Sequence, residues 1–201
     1  MRIFVAAAAT AFLTGCSDSP APVAKKAEPP PAPLTGRQAF QYLYGSSRIW
    51  APDSMPLTIR SLHAPGVLGG KGTAGAWEVV FVSAANARAR TYTWSAVEEE
   101  GLHKGVFPGP QETWHAGGAN QPFSPALLKV DTNEALDAAT KSAAAYLNKP
   151  GQRPMVDYLL DYQAATRFPN PVWHVLWGGT LSSAEYSVTV DASTGKVVGH
   201  D

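Results

Sequence analysis

Hydrophobic and polar positions along the chain repeat one order of elements twice. Thr35-Gly36-Arg37-Gln38 has the spacing of a capping box, in which a hydroxyl and a glutamine three residues later satisfy orphan amides at a helix start. Ala39, Phe40, Leu43 and Tyr44 then share one helical face, and Gly45 and Pro52 bound the segment. Asp131-Thr132-Asn133-Glu134 is a second capping signature. Leu136, Ala139, Ala143 and Leu147 form its stripe, and Asn148, Pro150 and Gly151 stop it.

Three extended segments are predicted after each helix. The first set falls near 57–62, 76–83 and 90–97, and the second near 155–162, 172–177 and 184–190. Alternation places Trp77, Val79 and Phe81 on one face, and Trp173, Val175 and Trp177 on the equivalent face, with an offset of 173 − 77 = 96. Tyr92, Trp94 and Ala96 match Tyr186, Val188 and Val190 with an offset of 186 − 92 = 94, and Gly101 and Gly195 are again 94 apart. Short fourth strands are expected at Val106-Phe107 and Val197-Val198. Short loops favour antiparallel neighbours, because parallel ones need a crossover.

The pattern therefore predicts an α+β fold of two tandem repeats, each with one helix packed on a small antiparallel sheet of three to four strands. The repeats span 35–107 and 131–201, with a linker over 108–130. One face of each sheet is expected to cover its helix and the other to meet solvent or the sister repeat. Glu185, Ser187 and Thr189 suit a wet face, whereas Tyr158-Leu159-Leu160 reads as a strand covered on both sides.

The first residues carry a different signal. Arg2 precedes an apolar run from Ile3 to Leu13, which at 1.5 Å per residue is too short for a hydrocarbon core of about 30 Å. The run ends in Leu13-Thr14-Gly15-Cys16, and this sequence resembles a bacterial lipoprotein signal. That likeness implies cleavage after residue 15 and lipid attachment at Cys16, with diacylglycerol and an N-acyl chain such as palmitate. Three acyl chains exceed the roughly two-signal threshold for stable anchoring in a bilayer. Ser17, rather than Asp, after the cysteine resembles the signal for sorting to an outer membrane, facing the periplasm. Residues 16–34, with Pro29-Pro30-Pro31-Ala32-Pro33, have the composition of an extended tether that cannot bury enough surface to order itself.

Composition narrows the function classes. Cys16 is the single cysteine, so the acylated chain has no thiol for disulfides or catalysis. Lys+Arg and Asp+Glu both count 16 with no basic stripe, which sets nucleic acid aside. The histidines, His63, His103, His115, His174 and His200, form no close metal-binding pair, so no metal or cofactor is expected. His174 reads as an ordinary surface histidine on a strand. A Gly-x-Ser-x-Gly elbow is missing, no catalytic residue is assigned, and the chain is not read as an enzyme. Gly69-Gly70-Lys71-Gly72-Thr73 lacks P-loop spacing and reads as a flexible hairpin loop, and Glu98-Glu99-Glu100 as a solvated turn. Trp114 and Phe123 stand out in the Gly/Pro-rich linker, either packing across the joint or offering a partner contact.

At the C-terminus, Pro171-Val172-Trp173-His174-Val175 and the run from Tyr186 to Val198 (YSVTVDASTGKVV) resemble the end of a PepSY domain. In the turn, Asp191 and Thr194 can hydrogen-bond locally and Gly195 can take positive φ. The first repeat keeps Gly101 but has Val97-Glu98-Glu99-Glu100 in place of the Asp and Thr. The resemblance implies a non-catalytic binding or regulatory module of the cell envelope, with an envelope protein, such as a peptidase held in check, as partner. The rival reading is a structural accessory subunit of an envelope assembly.

Overall fold

The computed structural model describes residues 32–150, 155–163 and 168–200. The predicted signal, Cys16 and most of the tether lie outside the described residues.

Helix α1 spans Gly36–Trp50 and opens on the expected capping box, Thr35 accepting from the Gln38 amide and Gln38 reaching back to Thr35. It runs through Gly45 because burial of Ala39, Phe40 and Leu43 outweighs the ~1 kcal/mol helix penalty of one glycine. Helix α2 spans Thr132–Ser142 behind its Asp131/Glu134 box, and a single turn, α3 (Ala144–Leu147), follows it.

Eight main strands follow in chain order: β1 Met55–Leu62, β2 Ala76–Ser83, β3 Arg88–Ser95 and β4 Gly105–Thr113, then β5 Val156–Asp161, β6 Val172–Trp177, β7 Tyr186–Asp191 and β8 Val197–His200. They form one antiparallel sheet in the order β8-β7-β6-β5-β1-β2-β3-β4. This corrects the expectation of two small sheets, each with its own helix. The fold is β-rich, with both helices on one face of a single eight-stranded sheet.

The physical reason is at the middle of the sheet. Two separate meanders would leave β1 and β5 as unpaired edges, which are costly or adhesive. Instead they pair through Thr58↔Asp161, Ile59↔Leu160 and Arg60↔Leu159. Ala39, Phe40, Trp77 and Phe81 then share one apolar cluster with Ala135, Leu160, Trp173 and Val190.

The ladders also correct the alignment of the two halves. Tyr92 pairs with Val79, and Val188 pairs with Val175, so the structural partner of Tyr92 is Val188 and the offset stays at 188 − 92 = 96. Matching tyrosine to tyrosine misplaces the strand by two residues, a slip of one full alternation period that leaves every side chain on the same face and so does not show in the pattern. Side-chain bonds keep the same correspondence: the Trp77 indole donates to the Leu34 carbonyl and the Trp173 indole to Val130, each 43 residues earlier.

The two helix N-termini meet at the seam. The Asp131 carboxylate caps α2, accepts the Arg37 amide of α1 at 2.9 Å and accepts the Thr35 hydroxyl at 2.6 Å. The Thr132 hydroxyl accepts from Gly36 N–H at 2.9 Å and donates to the Gly72 carbonyl. Orphan amides of both helices are thus satisfied across the junction. The Gly69–Thr73 turn, expected to be a flexible loop, is packed here. Gly72 has φ +86°, and a Cβ on it would lie 2.3 Å from Asn133 Cα, so only glycine fits.

At one sheet edge, β4 contains Pro108 and Pro110, which remove donors from that margin.

Candidate functional site

Pairing between β1 and β5 stops at Arg60↔Leu159, although both strands continue. The next position is filled by a side chain. Ser61 Oγ accepts the Tyr158 amide at 2.9 Å and donates to Asp157 Oδ1 at 3.2 Å, so the strands part around it. Two clefts flank the gap and share Ser61, Leu62, His63, Asp157 and Tyr158.

On the helix side the cleft measures about 280 Å³, between the turn at Leu68–Lys71 and Leu136 of α2. On the opposite face it measures about 510 Å³ and is lined by Leu62, Leu159, Leu176 and Leu181, with Arg60 and Asp157 at its margin. The mouths carry large exposed apolar side chains: Leu68 is 92% exposed, Met155 61% and Leu181 45%. A mostly apolar concavity with a few fixed polar groups is the usual make-up of a recognition site.

The polar groups are tied in place. Burial pushes the Tyr158 hydroxyl well above the usual tyrosine range, helped by the charge of Asp157, so it stays protonated. Arg60 is held by Glu78 at 2.7 Å, a bond that raises the guanidinium pKa further. These groups can orient a ligand that fills the leucine-lined space, and they present no activated nucleophile.

A second polar group lies on the same outer face, over β5, β6 and β7. His174 Nε2 meets Asp161 Oδ1 at 3.1 Å, and the Thr189 hydroxyl lies 3.4 Å from Nδ1. Side-chain exposure is 12% for His174 and 4% for Asp161, so His174 is not the surface histidine expected from its strand position. Ser187, Thr189 and Asp191 are buried as well, so this half of the outer face is not wet. Burial opposes ionisation of Asp161, but the His174 ring and the Gln163 amide outweigh it and hold its pKa below the usual carboxylate value.

The other residues singled out in the sequence fall in separate places. Phe123 is buried in the core, and its amide donates to the Pro56 carbonyl at 3.0 Å, whereas Trp114 is half-buried past the end of β4. The structure does not bring the two together. Asp191 Oδ1 accepts the Ser193 and Thr194 amides at 2.8 Å each, and Gly195 has φ +74°. Burial works against the charge of Asp191, but those amides and Asn170 lower its pKa overall. Glu98 accepts from Lys104 N–H at 2.7 Å and meets the His103 ring at 2.8 Å. Among the described residues no group of three His, Cys, Asp or Glu side chains is arranged to hold a metal ion. Sequence reasoning missed Ser61 and Asp161; the one available signal was Asp161 ending the apolar run of β5.

With this geometry in view, comparison with known proteins gives one informative likeness. The fold is shared. A crystal structure of a candidate lipoprotein from Clostridium difficile 630 superposes with a TM-score of 0.55 at 12% identity, covering 81% of this chain and 91% of that one. No family model matches the chain, so the PepSY resemblance is not supported by that comparison, and no curated protein matches it.

Proposed function

We propose that the chain is a cell-envelope lipoprotein, anchored through acylated Cys16, that binds another envelope protein at the cleft in the seam of its sheet. The observation that carries the binding reading is the leucine-lined cleft of about 510 Å³ where β1 and β5 separate, rimmed by Leu181. An apolar side chain of a partner would fill that space and provide a desolvated anchor, the kind of contact that dominates interface energy. The envelope placement is supported by the Leu13-Thr14-Gly15-Cys16 sequence and by the fold likeness to a candidate lipoprotein. In this reading the chain acts sterically and performs no chemistry of its own. The PepSY resemblance of the β7–β8 hairpin makes an envelope peptidase, held in check on the periplasmic side of an outer membrane, the first partner to test.

The test is photo-crosslinking in living cells from Leu181 and Ser182 of the cleft, with exposed Glu112 on β4 as the comparison position, followed by capture and mass spectrometry. One partner crosslinked from the cleft positions and not from Glu112, and lost in Leu181→Lys, supports the reading. Equal crosslinking from all three positions, or none, removes the cleft as the binding surface.

A further inference from the structure

We infer that the solvent face of α1 rests on the surface of an anionic bilayer, so that the helix layer faces the membrane and the leucine-lined cleft on the opposite face of the sheet points away. The inference rests on the lipoprotein reading for its anchor. Three features of the fold support it.

First, α1 has an exposed apolar face with no partner among the described residues. Tyr42 is 59% exposed and Ile49 88%, and they lie two turns apart on one side of the helix. Gly45 sits between them, with open space above its Cα. Second, the charge on this helix has one sign. Residues 36–50 contain Arg37 and Arg48 and no acidic residue. The exposed side of α2, by contrast, carries Glu134 and Asp137 beside Lys141, with no large apolar residue. Asp53, just past the end of α1, is occupied by the Ser83 hydroxyl and the Ala85 amide. Basic residues beside an aromatic and an aliphatic side chain match an anionic interface.

Third, the chain enters the fold on this side of the sheet. Leu34 and Thr35 pair with Ala74 and Thr73, and the Leu34 carbonyl accepts from Trp77, whose ring packs among the helix-facing core residues. Only 35 − 16 = 19 residues separate Thr35 from Cys16, a reach of about 60 Å as polyproline II at ~3.1 Å per residue. Two apolar side chains and two arginines form too weak a contact to hold a free protein. A short lead from a fixed anchor, however, supplies an effective concentration of about millimolar, enough to keep a weak face engaged.

The experiment labels Gly45→Cys with a fluorophore in the full-length lipidated protein, in vesicles of phosphatidylethanolamine and phosphatidylglycerol containing doxyl-labelled lipid. Thr140→Cys on the exposed side of α2 is the comparison position. Quenching at position 45 but not at 140, lost when Tyr42→Ser and Ile49→Ser are added, is the expected result. Absence of quenching at 45, or equal quenching at both positions, overturns the inference while flotation with the vesicles leaves the anchor reading standing. Self-quenching between position-45 labels without lipid quenching assigns the face to a second copy and also overturns it. A chain that does not float refutes the anchor instead. Held then by an N-terminal hexahistidine segment on nickel-chelating lipid, its position-45 label still decides the α1 face.

Discussion

Removal of one carboxylate should loosen both helices at once. Asp131 caps α2 and also accepts the Arg37 amide and the Thr35 hydroxyl of α1. Asp131→Ala removes an N-cap, which costs about 0.5–2 kcal/mol. It also strands an amide and a hydroxyl at the start of α1, and partial access of water keeps that cost near the lower end of about 1–3 kcal/mol per group. Two positive helix ends would then face each other without the intervening charge, a further ~0.3–1 kcal/mol. The total is about 3 kcal/mol. For a domain of this size it should lower Tm by about 6–12 °C, and lower the urea midpoint without changing the slope. Gln38→Ala, which removes a single capping bond of α1, should cost about 1 kcal/mol or less and serves as the reference. A double-mutant cycle of Thr35→Ala with Asp131→Ala should give a coupling of about 1 kcal/mol or more. If Asp131→Ala were no more destabilising than Gln38→Ala, the reasoning that one carboxylate joins the two helix starts would be refuted.

Further outcomes follow from other contacts. Gly72→Ala forces a Cβ onto the backbone of Asn133 at φ +86° and should destabilise the protein by about 2–4 kcal/mol in thermal melts, more than Gly45→Ala, which meets open space and should be neutral or stabilising. Trp77→Phe and Trp173→Phe each remove an indole donor to a carbonyl, so each should cost at least about 1 kcal/mol, with the larger loss at Trp173, whose hydrogen bond is the more buried of the two. Because the folded pKa of Asp161 lies below its unfolded value, its contribution to stability is complete above the usual carboxylate pKa. It is lost as pH falls through about 4 toward the folded value. Denaturation followed from pH 6 down to pH 2 should therefore show a weaker acid dependence in Asp161→Asn than in the parent; equal slopes would remove Asp161 from the acid response.

Local signals were readable because they are local. The capping residues Thr35 and Asp131 mark both helix starts, and alternation around Trp77 and Trp173 marks the central strands. The joining of the halves was not readable. Ile59 and Leu160 look like any inward-facing strand residues, and nothing in their neighbourhoods says that each other's strand is the partner. Ser61 shows why the candidate site was hidden as well. A serine in an alternating strand reads as filler, and its role depends on Tyr158 and Asp157, 96 to 97 residues away. Alternation alone puts His174 on a face that reads as wet, and only the buried Asp161 beside it shows otherwise.

The seam also orders events during folding. Within each meander the strands are neighbours in sequence, and the turn from Ser83 to Arg88 closes only a few residues. The contacts joining Thr35 to Asp131 and Ser61 to Asp157 close a loop of 96 residues. By chain statistics that closure costs about 3 kcal/mol more entropy than a four-residue turn. The hairpins should thus form early and the join between β1 and β5 late, so that seam closure sets the pace of folding. Until then the newly made chain displays two unpaired inner strand edges, and this is the interval in which a second molecule can take the place of its own other half.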